Sequence, residues 1–142
     1  MPAWRSAAML SRDGKAALRV TLLRLVATVS SLAALAALLD PERVAGSMGL
    51  FLVGVNGYSQ FYALFVGVRI ATALLALFAA RHGEQPVLGD VTALFVLAQP
   101  AGRMVAAIEI GLPQGFLLII SVVELLAGAL LLALRPANVA RT

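Results

Sequence analysis

Four apolar runs, each about twenty residues long, decide most of what this chain can fold into. They cover residues 20–39, 61–80, 91–110 and 116–134. An α-helix rises 1.5 Å per residue, so about twenty residues cross the ~30 Å hydrocarbon core of a bilayer. The apolar residues form unbroken runs and not the one-sided stripes of a soluble helix. Charged residues make up 13% of the 142-residue chain and hydrophobic ones 61%, whereas soluble domains carry about 25% charge. The expected fold is all-α: an integral membrane four-helix bundle filling residues 20–135. A basic cytoplasmic tail over 1–19 and a short tail over 136–142 flank it.

Composition removes several classes of function. There is no cysteine, and the one histidine, His82, falls in an expected turn. Disulfides, thiol chemistry and conventional transition-metal or haem sites are therefore not expected. The net charge of +4 does not point to nucleic acid. Much of the excess lies in Arg5, Arg12, Lys15, Arg19 and Arg24, beside the first span, the pattern of a cytoplasmic flank. The first run is too long for a signal-peptide core of ~7–15 residues, so it reads as a retained span. The loop with Arg81 and the tail with Arg135 and Arg141 are basic, and the opposite side has only Arg43. Lysine and arginine bias thus places both termini in the cytoplasm.

Within the first span Thr21, Arg24, Thr28 and Ser31 share one helical stripe, expected to face other helices because lipid offers no hydrogen bonds. Arg24 is close enough to the cytoplasmic end to snorkel instead. Asp40-Pro41 ends the span. Residues 43–60 hold an apolar stretch too short to cross, rich in glycine, and read as a re-entrant or interfacial segment. The alternative is an N-terminal extension of span two that begins before Asn56. In span two, Ala63, Gly67 and Ala71 form a small-residue line suited to close helix contact. Tyr62 and Arg69 lie two turns apart on one side. Span three carries Gln99 and Arg103 on one face, with Pro100 between them and Glu109 near the outer end. Span four aligns Ser121, Glu124 and Gly128.

Charges in mid-span cost at least ~2.5 kcal/mol each and normally face a partner or a cavity. Arg69 and Glu124 lie near the midpoints of their runs, and Arg103 is offset by roughly 3–5 Å. All three are expected to converge, with Gln99 and Tyr62 completing the hydrogen bonds. The bland reading is an ionic lock. The alternative starts from the surplus positive charge, which an anionic or electron-rich amphiphile could satisfy. Lipid, quinone and carboxylate are the candidate occupants, and no other cofactor is expected. Arg24 and Glu109 are secondary candidates.

Residues 56–134 resemble a family of small bacterial membrane proteins known as a domain of unknown function. The resemblance rests on Tyr58 or Tyr62 with Gly67, then Gly102-Arg103, Glu109, Gly111 and Pro113, and then Glu124. The family's Tyr-Gly-Gly at the start of span two is replaced here by Asn56-Gly57-Tyr58-Ser59-Gln60. The broader shape is similar to four-span DoxX-like proteins, though no DoxX-specific residue is matched. The resemblance implies a four-helix bundle in a bacterial inner membrane and no activity.

No Ser/His/Asp set, paired carboxylates, HExxH or phosphate-cradling loop is present, so an enzyme is not expected. The leading expectation is a non-enzymatic accessory or structural subunit of a larger inner-membrane assembly, alongside other membrane subunits or copies of itself. The alternative is a binder or carrier of a small amphiphile at the Arg/Arg/Glu centre.

Overall fold

The computed structural model describes residues 3–136, with side chains from Asp13 onward. The amphipathic reading of the N-terminal tail through Trp4 and Leu10, and the C-terminal tail with Arg141, lie outside the described side chains. Helix α1 runs over Ala3–Leu39. The short α2 spans Pro41–Ser47. Helix α3, Gly54–Tyr62, passes through a π-helical turn at Ala63–Val68 into α4, Arg69–Arg81. Helices α5, Pro86–Glu109, and α6, Gly115–Ala133, complete the chain. The described residues are helical throughout apart from short turns. Among the described residues, four helical stretches are long and apolar enough to cross a membrane: Asp13–Leu39, Gly54–Arg81, Pro86–Glu109 and Gly115–Ala133. The chain is a multi-pass membrane protein in form. Leu25, Leu32, Leu74, Leu94 and Leu126 are among the many large apolar side chains it exposes, as a lipid-facing surface requires.

The breaks follow local chemistry. Asp40 accepts a hydrogen bond from the Arg43 backbone N–H and Pro41 fills the first turn of α2, the expected N-terminal arrangement. Gly111 and Gly115 adopt positive φ, 108° and 59°, which lets the α5–α6 turn reverse within a few residues. The segment between spans one and two divides at Gly54. Residues 41–53 form α2 and a loop, while 54–60 extend span two, so that span starts seven residues before the expected boundary at Phe61. Tyr58 Oη donates to Glu42 Oε1 at 2.6 Å, tying α3 to α2. This hydrogen bond holds the Glu42 carboxyl below its ordinary range.

The helices alternate in direction. Helix α1 packs along α4, α4 along α5, and α5 along α6, while α1 and α6 touch only sparsely. Two apolar cores lie at opposite ends. Near the end that carries both termini, Leu23, Ala27, Ala76, Ala79, Ala93 and Leu131 are buried together. Near the other end, Phe61 packs on Ala37 and Ala45. Alanine dominates both, which allows the close backbone approach typical of membrane helices.

Two packing expectations are overturned. The stripe Thr21, Arg24, Thr28 and Ser31 is exposed, and Leu23, Ala27, Ser30, Ala34 and Ala37 form the buried face of α1. Thr21 and Thr28 donate to the carbonyls of Ala17 and Arg24, so their hydroxyls need no partner helix. The line Ala63, Gly67 and Ala71 also points outward. Ala73, Ala76 and Ala79 make the close contact instead.

Candidate functional site

Glu124 occupies the middle of α6, nine residues from Gly115 and nine from Ala133. Its carboxylate is divided between two helices. Oε1 accepts from Arg69 Nη2 on α4 at 2.8 Å, and Oε2 accepts from Arg103 Nη1 on α5 at 2.6 Å. Gln99 Oε1 accepts from the same Arg69 nitrogen at 2.8 Å and from Arg103 Nη2 at 3.4 Å. Ser121, one turn before Glu124, accepts from Arg103 Nη1 at 3.1 Å and donates to the Leu117 carbonyl. The side chains of Arg69, Arg103 and Glu124 are 13%, 18% and 10% exposed. Their convergence rests on helix contacts that only small residues allow. Gly128 meets the Leu97 side chain so closely that a Cβ would overlap it, which draws α6 against α5.

Arg69 is aimed by the π-helical turn immediately before it. An i→i+5 turn takes up one extra residue and slips the helical register by about 100°. Arg69 then shares the buried face of α4 with Ala73 and Ala76. Tyr62, which seven-residue spacing aligns with Arg69 on a regular α-helix, is turned away by that slip. Among the described residues no hydrogen bond joins Tyr62 to the cluster, and its ring instead meets Phe61 edge-on at 6.0 Å. The secondary candidates also lie apart. Arg24 is exposed on α1, and Glu109 is exposed at the end of α5.

Beside the cluster lies a cavity of about 650 Å³. Its walls are mainly α1 and α6, which touch only sparsely. Val29, Ala33 and Ala36 line one side and Ile119, Ile120 and Val123 the other. Arg69 and Glu124 contribute to one end, and Asp40, Arg43 and Ser47 to the other. Phe116 and Glu124, both lining it, are eight residues apart on α6, which at 1.5 Å per residue is about 12 Å along the slot. The result is an apolar lateral slot that is charged at mid-bundle and polar at its mouth.

A second ionic cluster was not anticipated from the sequence. Arg19, 5% exposed, donates through Nη2 to Asp90 Oδ1 and the Pro86 carbonyl, and through Nε to the Leu131 carbonyl at 3.2 Å. Arg135 Nε reaches Asp90 Oδ2 at 3.0 Å. One carboxylate thus joins the middle of α1, the start of α5 and the end of α6. A Cβ on Gly89 would lie 2.8 Å from the Arg19 guanidinium, so the glycine makes room for this arginine. The available signal is Asp90 itself, an acid level with the basic flanks of the first and fourth apolar runs.

The chain was compared with protein-family models, curated proteins and solved structures, and it matches none of them.

Proposed function

We propose that this protein binds or carries a small membrane amphiphile, with the polar head at Arg69 and the chain in the α1–α6 slot. The observation that carries the proposal is the joining of an aliphatic cavity of about 650 Å³ to a buried, hydrogen-bond-rich cluster. Ligand sites commonly fall within ~300–1,000 Å³, are mostly apolar and hold a few convergent polar groups. The slot lies between membrane-length helices, so its natural supply of ligand is the bilayer. By the distribution of lysine and arginine the termini are cytoplasmic, and the mouth with Arg43 belongs to the outer leaflet of a bacterial inner membrane. Arg103 and Glu124, which carry part of the resemblance to the four-span family of unknown function, are in this centre, and Glu109 is not. Membership of that family is part of the proposal and adds no activity.

A second reading, an accessory subunit of a larger membrane assembly, draws on the outward line of Ala63, Gly67 and Ala71. Small residues on a lipid-facing helix surface suit close contact with another membrane helix.

One preparation tests the main reading. Wild type and Ala33→Phe, purified in mild detergent, are compared by native mass spectrometry and thermal unfolding. Wild type is expected to carry an amphiphile mass. Ala33→Phe, which fills the slot, is expected to lose that mass and still unfold cooperatively, without the part of the wild-type midpoint that the bound amphiphile supplies. A wild type without adduct, or an equal adduct on the filled variant, overturns the amphiphile reading. A co-migrating second chain in place of the adduct favours the subunit reading.

A further inference from the structure

The slot says little about the chain it would accept, but its charged end constrains the head. Two guanidiniums meet one carboxylate, a formal surplus of one positive charge. Gln99 and Ser121, the other partners, are neutral. The cytoplasmic-end cluster has the same ratio, with Arg19 and Arg135 on Asp90. There the surplus is tolerable, because Arg135 is 48% exposed at the end of the bundle, within reach of water and headgroups. The central arginines have no such outlet. They lie at mid-span, where an uncompensated charge is most costly.

The hydrogen bonding points the same way. Among the described residues, protein acceptors engage Arg69 only through Nη2. Its Nε and Nη1 have no protein partner, and Arg69 lines the slot. No fully buried side-chain nitrogen or oxygen among the described residues lacks a partner, so these nitrogens keep some exposed surface, on a residue that lines the slot. Nε and Nη1 face different sides of the guanidinium, and each offers a separate charge-assisted donor that an anionic head accepts more strongly than a neutral hydroxyl does.

We infer that the occupant is an anion: a carboxylate-headed, single-chain amphiphile whose single negative charge offsets the surplus at Arg69 and whose chain lies along Val29, Ala33 and Ile120. This rests on the reading of the slot as an amphiphile site. The carboxylate brings the cluster to two positive and two negative charges. The aliphatic walls then need only exclude water from the chain.

The test uses delipidated wild-type protein in zwitterionic nanodiscs and three probes: oleate, oleyl alcohol and an anionic phosphatidylglycerol. Binding is followed by native mass spectrometry across a titration, with Ala33→Phe as the slot-filled control. Oleate is expected to bind at least ~10-fold more tightly than the alcohol of the same chain, given the greater strength of charge-assisted hydrogen bonds, and only to the open slot. Alcohol binding equal to oleate overturns the anionic head and leaves the amphiphile reading standing. Phosphatidylglycerol that displaces oleate at equal concentration overturns the carboxylate. Failure of oleate and alcohol alike, or undiminished oleate binding to Ala33→Phe, overturns the amphiphile reading itself.

Discussion

At the scale of the residue, the three buried charges are unequal. Glu124 is the shared acceptor, so Glu124→Gln leaves two guanidiniums facing each other without a counter-charge. Arg103→Gln instead leaves Arg69 and Glu124 as a matched pair at 2.8 Å. Breaking a buried ion pair by removing one partner costs about 3–5 kcal/mol, and Glu124→Gln should reach that range while Arg103→Gln falls clearly below it. Unfolding by SDS titration, followed by circular dichroism, ranks the two; a loss from Arg103→Gln as large as that from Glu124→Gln would contradict the shared-acceptor geometry. Most of this cluster was legible in the sequence, because charges at mid-run depth must find one another. Tyr62 was misplaced because spacing by sevens assumes an unbroken α-helix. Arg19 reads in sequence as a tail residue because its position level with the basic flank hides its burial against Asp90, Pro86 and Leu131.

At the scale of the element, the π-helical turn lets one continuous helix serve two cores. Below it, Ala73, Ala76 and Ala79 pack in the core near the termini, and above it Phe61 packs on Ala37 and Ala45. Deleting the exposed Leu64 restores a regular register. The deletion removes the one residue that the turn takes up, so Phe61 and Arg69 then lie seven residues, two regular turns, apart and both halves keep their faces. Phe61 should therefore stay in its pocket. A double-mutant comparison tests this. Phe61→Ala should cost the ~3–5 kcal/mol typical of a Phe→Ala core change whether or not Leu64 is present, and a much smaller cost once Leu64 is deleted would show that the turn does not simply absorb one residue. This turn had no legible signature, since Ala63–Val68 reads as ordinary apolar helix. The early start of span two was open in the sequence only as an alternative, because Gly54 and Gly57 are poor helix formers.

At the scale of the whole molecule, the four runs specify the number and alternation of spans through length and hydropathy alone. They do not specify which faces meet. Threonines that bond to their own helix look, in sequence, like threonines in need of a partner, so the outward stripe of α1 reads as inward. The gap between α1 and α6 depends on packing around the entire ring, and no single segment encodes it. That gap can be tested directly, because the chain has no native cysteine. A Leu97→Cys/Gly128→Cys pair spans the tight α5–α6 contact, where the two positions touch. An Ala33→Cys/Ile120→Cys pair spans the slot, whose opposite walls these residues line. A disulfide requires Cα atoms within about 7 Å. Mild oxidation in membranes should therefore crosslink the first pair readily and the second only slowly. If the slot pair oxidises as fast as the control, α1 and α6 close on each other in the bilayer, and the space that the amphiphile needs is not there.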